Sequence, residues 1–324
     1  MVGIAIVLLI VGVITGGLYY YLSKQIPEVP EITGEPAEEE IVKPEEATPL
    51  PEQSSPQVYF SSNKLEQGDT LLIKIADKSA INEVSGEFEL VKIDFFKLAT
   101  LEDWVGIVGI DVRKEPGQYN LVINFSDGRK IKKELNIVER KFPITELLVT
   151  KELEEKGLTP SKIVGNIVTK ENPALKEVLA VYTEISYFNQ AFIYPLEKIK
   201  VVGAFGNIRK SGEVGAQHLG IDLEAGIGTP VYAVNNGVVR FSQELTTYGK
   251  TLIIDHGFGI FSLYLHLNEF KVLSGEKVKQ RDIIGFSGNT GYSIEPHLHF
   301  SVKINGSNVD PLRFIDTIDK EIIK

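Results

Sequence analysis

From Val2 to Leu22 the chain reads VGIAIVLLIVGVITGGLYYYL without a charged residue. That is close to the ~20 apolar residues a helix needs to cross the hydrocarbon core of a bilayer. Tyr19, Tyr20 and Tyr21 fall where an interfacial aromatic belt sits, with Lys24 just beyond. The pattern predicts an uncleaved transmembrane anchor over 1–24, since no basic n-region precedes it and no A-x-A site follows. Polarity then reverses. Residues 25–57 hold seven of the 15 prolines, with nine Glu against one Lys, and predict an extended, solvated linker. At ~3.1 Å per residue such a linker reaches on the order of 90 Å.

Over 58–140 the apolar residues recur with period two. TLLIKI (Thr70 to Ile75) and QYNLVINF (Gln118 to Phe125) are β-rich, and Tyr119, Leu121, Ile123 and Phe125 share one face. Glu115-Pro-Gly and Ser126-Asp-Gly end the second run in turn residues. This spacing predicts a small antiparallel β-sandwich of immunoglobulin type. Residues 141–200 shift to helical spacing. Thr159-Pro160 and Asn172-Pro173 each read as an N-cap followed by a first-turn proline. Two short helices follow, with Leu175, Val178, Leu179 and Tyr182 as the apolar stripe of the second. This connector is expected to pack on both neighbours.

From Val201 strands return with many glycines. TPVYAVNNGVVRFSQ (Thr229 to Gln243) reads as two strands about an Asn-Gly turn. TLIIDHGFGIFSLYLHL (Thr251 to Leu267) reads as a hairpin about Gly257 to Gly259. The fold class is therefore mainly β: an N-terminal transmembrane helix, a sandwich, a short helical connector, and a C-terminal antiparallel β-rich domain over 201–316 with an open groove. A tail, 317–324, follows.

Nearly all of the formal charge of -10 comes from the linker, so the remainder is close to neutral and lacks the basic footprint of a nucleic-acid binder. The chain has no Cys, which excludes disulfides, thiolate metal ligands and thiol catalysis.

The five histidines carry the candidate chemistry. All lie between His218 and His299, and the first 217 residues contain none. In EPHLHFSV, His297 and His299 project together from a strand while Leu298 points into the core. The same alternation assigns Leu263, Leu265 and Leu267 to the core, and Tyr264 and His266 to the opposite, open face. HLGID adds His218 and Asp222, with Gly220 between them permitting close approach. Two His and one carboxylate are a recurrent catalytic zinc set that leaves a position for water. Further imidazoles can move protons or steady an oxyanion. Spacing alone predicts a metal-dependent hydrolase and does not choose among the four His. His256, in DHGFG, and Asp255 and Asp310 read as turn or capping residues.

The run HLGIDLEAGIGTPVYAVNNGVV, then YLHL, then GNTGYSIEPHLHF resembles the lysostaphin/LytM-type zinc metallopeptidases, the peptidoglycan endopeptidases. The likeness covers Gly203 to Asp316, with the HxxxD and HxH elements both complete. The preceding β-domain resembles, more weakly, modules that stand before such peptidases. The resemblance implies one Zn2+ per chain held by His218, Asp222 and His299, with His266 and His297 as catalytic histidines. It implies hydrolysis of amide bonds in the peptide stems or cross-bridges of cell-wall peptidoglycan. Such a chain is expected at the cell membrane, single-pass, with its catalytic part periplasmic or extracellular and a possible protein partner on the β-sandwich. The competing expectation is a silent or autoinhibited module that binds peptidoglycan or activates other wall hydrolases.

Overall fold

The run TLLIKI puts Leu71, Ile73 and Ile75 on one face and Leu72 on the other, between Thr70 and Lys74, and both faces are used. In the computed structural model, which describes residues 56–76, 81–97 and 103–322, Thr70–Ala76 is a strand whose Leu71, Ile73 and Ile75 enter one core while Leu72 enters another. The expected membrane segment and nearly all of the linker lie outside the described residues, and no described helix is long and apolar enough to cross a membrane.

The first core lies in the region where the sandwich is expected, enclosed by one continuous series of eight paired strands. Its strands hydrogen-bond in the order Gln57–Phe60, Thr70–Ala76, Trp104–Gly109, Val91–Lys97, Val84–Phe88, Gly117–Phe125, Lys130–Val138, Lys64–Glu66. Leu121, Ile123 and Phe125 point inward together, as their period-two spacing requires. One pair departs from an all-antiparallel arrangement, because Lys64–Glu66 runs parallel to Asn136–Val138.

Leu72 belongs to the second core with Phe96, Val105, Ile107, Phe188, Phe205, Phe300 and Val309. The outer face of the sandwich thus packs on the C-terminal region. Polar clamps surround that contact. Arg140 Nη2 donates to Asp310 Oδ2 at 2.7 Å, and Arg313 Nη1 donates to Glu66 Oε2 at 2.9 Å. Asp310 also caps the helix Pro311–Ile322 by accepting from Leu312 N at 3.0 Å, the capping role its position suggests.

The C-terminal sheet runs Val201–Gly203, Ile221–Glu224, His297–Ile304, Ile260–Phe270, Gly249–Gly257, Gly237–Leu245, Lys277–Val278. The expected hairpin at Gly257 to Gly259 is present. The expected Asn-Gly hairpin is not. Pro230–Tyr232 pairs with Ile283–Ser287, and Gly237–Leu245 pairs with Gly249–Gly257 and Lys277–Val278, so those two strands never meet. Local turn residues were outweighed there by burial of Val231, Ala233 and Val234 in the shared core.

The connector holds α1 (Lys151–Glu155), α2 (Pro160–Asn166) and α3 (Asn172–Leu179). Thr159-Pro160 opens α2 as its sequence suggests. Asn172-Pro173 opens nothing new, since Ile167–Glu171 is a π-helical turn that joins α2 to α3. Pro173 has no N–H to give to the turn before it. The chain absorbs the loss by widening one turn, with Asn172 N bonding back to Ile167 O. Leu175 is buried against Phe241, Ile253, Phe261, Leu263 and Leu265, with Val178 and Leu179 packed alongside. The sheet face expected to be open is therefore covered along part of its length by these helices.

Candidate metal centre

His297–Ile304 sits between two partner strands, and register decides what converges on it. Asp222 is the Cα partner of His299 on one side, and Leu265 is its partner on the other. His218 precedes the Ile221–Glu224 strand and folds over the same spot. Its Nε2 lies 2.9 Å from Asp222 Oδ1 and 2.9 Å from His299 Nδ1, and those two atoms are also 2.9 Å apart. The three residues are buried, and they are the described group that could hold a metal ion.

The donor chemistry fits a cation. His218 Nδ1 is 2.8 Å from the carbonyl oxygen of Ala204, an acceptor, so it carries the ring proton and leaves Nε2 as a bare lone pair. His299 Nε2 is anchored 2.8 Å from Ser301 Oγ, and Arg209 Nη2 donates to Asp222 Oδ2 at 2.7 Å. Such outer contacts fix ligand orientation in metal sites. Burial opposes ionisation of Asp222, yet the rings of His218 and His299 beside it hold its carboxyl well below the usual carboxylate range. Burial pushes the pKa of His299 down to about 4, which keeps its imidazole neutral at pH 7. Room for the cluster comes from two glycines: a Cβ on Gly220 would lie 2.7 Å from His299 Nε2, and one on Gly203 would lie 2.2 Å from Asp222 Oδ2.

His266 and His297 stand beside this triad, their ring centroids 4.9 Å apart. His297 Nδ1 donates to Glu295 O at 2.7 Å, which turns Nε2 toward Asp222 Oδ1, 3.5 Å away. His266 Nδ1 donates to Thr290 O at 2.8 Å. Burial, reinforced by His297 and His299, pushes the His266 pKa down to about 3. Both rings are thus anchored through Nδ1 to a backbone carbonyl.

The alternation expected for Leu263 to Leu267 does not hold. His266 has φ +61° and lies in a bulge between the 264 and 267 pairings with the neighbouring strand. One extra residue reverses the parity of side chains across it. Tyr264 is consequently buried in the shared core, where its hydroxyl accepts from Val234 N and Ser262 Oγ, and it does not line the groove. Leu263 and Leu265 instead share the face of His266 and His299 and line the cavity with them. A left-handed non-glycine residue beside a buried cluster of titratable groups is the kind of strain found at functional sites.

His256 is elsewhere. Its Nδ1 donates to Asn236 O at 2.7 Å and its Nε2 faces Ser262 Oγ at 2.8 Å, the structural role its turn context suggests. Sequence reasoning missed Arg209, Ser301 and Glu171. Ser301 was findable, being two residues from His299 on one strand face. Arg209 and Glu171 had no such signal. The Glu171 carboxylate, in the π turn, is buried and accepts from Thr247 N at 2.6 Å and Tyr248 N at 3.2 Å. It fastens the connector beside a cavity of about 1150 Å³ that contains all four site histidines. Ile163, Ile167, Leu175 and Leu179 form the connector's wall of that cavity.

Residues 216–311 match Peptidase family M23. The DD-carboxypeptidase/endopeptidase Mpg of Neisseria meningitidis serogroup B is 43% identical over 95 residues, which is 29% of this chain and 22% of that protein. The peptidoglycan DD-endopeptidase ShyA of Vibrio cholerae serotype O1 is 39% identical over 98 residues, 30% of this chain and 23% of that protein. The chain thus spans about a quarter or less of the length of these curated relatives. A solved structure of a Pseudomonas aeruginosa protein assigned to peptidase M23 superposes with a TM-score of 0.54 at 21% identity, covering 77% of this chain and 93% of that one. That likeness is one of fold, and its extent takes in more than the C-terminal sheet.

Proposed function

We propose that this chain, whose residues 216–311 form a peptidase family M23 domain, is a zinc-dependent endopeptidase acting on peptide cross-links of bacterial peptidoglycan. The observation that carries this reading is the triangle of His218 Nε2, Asp222 Oδ1 and His299 Nδ1, with the imidazoles of His266 and His297 against it. His218, Asp222 and His299 would hold the ion. Bound zinc supplies a Lewis acid for the amide carbonyl and lowers the pKa of water in the site.

The chain's own residues do the rest. His297 Nε2, fixed by the Nδ1 contact to Glu295 O, is placed to take a proton from the attacking water and return one to the leaving amine. His266, held by Thr290 O, faces the same space and is placed to steady charge on the carbonyl oxygen or orient the water. Leu263 and Leu265 give the site an apolar floor.

The proposed substrate class bears on location as well. An uncharged run over Val2 to Leu22 and a Pro/Glu linker support a membrane-anchored protein with its catalytic part periplasmic or extracellular. A second reading, an enzyme held inactive until the connector moves, draws support from Glu171 and the helices α2 and α3 walling the groove.

The deciding test is bound zinc and release of fragments from purified peptidoglycan. Stoichiometric zinc with cleavage supports the endopeptidase. Zinc without cleavage favours the held-off form, and absence of zinc overturns both.

A further inference from the structure

The cavity continues past the metal centre along the same face of the central strand. His299, Ser301 and Lys303 alternate onto that face, and all three line the cavity. At ~3.3 Å per residue, Lys303 stands on the order of 13 Å along the strand from His299. An extended peptide covers that distance in about four residues.

The far end is closed by the sandwich. Asp111, in the loop after Trp104–Gly109, accepts from Asn308 N at 2.7 Å and Asn308 Nδ2 at 2.8 Å. Asn308 is the Cα partner of Lys303, so this contact fixes the loop over the lysine. Two residues on, Arg113 also lines the cavity. The cations' partners there are neutral: Lys303 Nζ donates to Asn308 Oδ1, and Arg113 Nε donates to Gln217 Oε1 at 3.3 Å. Among the described residues neither forms an ion pair with a carboxylate. Asp111 is an acid near Lys303, and its oxygens accept from Asn308 and from the backbone N–H of Arg113 at 2.9 Å. Farther along the wall, Lys92 and Glu184 are of opposite sign. Burial, opposed by Asp111 and reinforced by Arg113, pushes the Lys303 pKa down to about 8, as expected of an ammonium short of counter-charge.

We propose that Lys303 and Arg113 together form a subsite for a free carboxylate of the peptide substrate, about four extended residues from the amide that is cut. The proposal rests on the peptidase reading above and deepens it. An Arg fork and an adjacent ammonium form charge-assisted hydrogen bonds with a carboxylate that an uncharged carboxamide cannot match. The sandwich then has a direct part in substrate recognition, because Arg113 comes from it and Lys303 from the peptidase sheet.

The test separates binding from hydrolysis. In the full chain carrying His297→Ala, the affinity of a synthetic cross-linked stem-peptide dimer with free carboxylates is measured by fluorescence anisotropy. The same dimer with its carboxylates converted to carboxamides is measured beside it. The acid form is expected to bind on the order of 10-fold more tightly. Adding Arg113→Gln or Lys303→Met should bring that ratio toward one. A ratio near one in the parent, a ratio kept by both variants, or no binding of the acid form overturns the subsite. Hydrolysis of either dimer by the unsubstituted chain is scored separately: its absence counts against the peptidase reading while the binding ratio still decides the subsite.

Discussion

Asp222 and His299 are Cα partners on neighbouring strands, and Asp222 Oδ1 meets His299 Nδ1 at 2.9 Å. The centre therefore depends on strand register, and a slip of one residue between these strands would put the two side chains on opposite faces.

Residues in this cluster should separate into holders and actors. His299→Ala is expected to lose bound metal, whereas His297→Ala keeps it and loses about 100-fold or more of the hydrolytic rate. Arg209→Ala, which frees Asp222 Oδ2, should weaken metal affinity about 10–100-fold with the fold intact. Metal titration beside a peptidoglycan digestion assay checks all three. Equal metal loss in His297→Ala and His299→Ala would remove the distinction.

Glu171 should act as the connector's fastener. Its two oxygens accept from the backbone of Thr247 and Tyr248, and an amide offers one acceptor in their place. Glu171→Gln is expected to cost about 1–3 kcal/mol of local stability and to raise both protease nicking within 151–179 and the hydrolytic rate. Nicking that rises with no gain in rate would show that the connector does not restrain the enzyme. Deleting the connector outright is a poorer experiment, because Phe188, Phe192 and Leu196 belong to the shared core.

Gly109 lies where the sandwich meets the C-terminal sheet. A Cβ there would stand 2.9 Å from Ile304 Cβ and 3.0 Å from Val309 Cγ1. Gly109→Val should lower stability by about 1–3 kcal/mol, read as a drop in Tm. An unchanged Tm would mean that the junction can give.

His256 should make the fold acid-sensitive. Burial holds its pKa at about 4 against an ordinary 6.5. The unfolded chain thus binds the extra proton first as pH falls, and stability declines between about pH 6.5 and 4. At 1.36 kcal/mol per unit, the loss reaches about 2 kcal/mol at pH 5. Denaturant melts at pH 7 and pH 5 should show this decline reduced in His256→Asn. The same slope in both proteins would assign the effect to other groups.

The histidine pattern made most of the site legible from sequence, because spacing within a strand fixes side-chain faces. His297, His299 and the ligand-spaced Asp222 were readable for that reason. Tyr264 was not. Its side depended on a bulge at His266, and no residue type marks a bulge carried by a non-glycine residue in the left-handed region. Glu171 and Arg113 were hidden for another reason: each acts across the fold on partners far away in the chain. The sandwich was legible as strands, but its alliance with the C-terminal sheet was visible merely as Leu72 on the more polar face of Thr70–Ala76.

That doubly buried strand limits how the protein can change. Modules joined by a tether can be exchanged, duplicated or lost while each keeps its own interior. Here Leu72, Phe96, Val105 and Ile107 fill the same interior as Phe300 and Val309, so a volume altered on one side has to be answered on the other. The two regions form a matched pair, and transplanting the C-terminal sheet alone would carry away half of a seam.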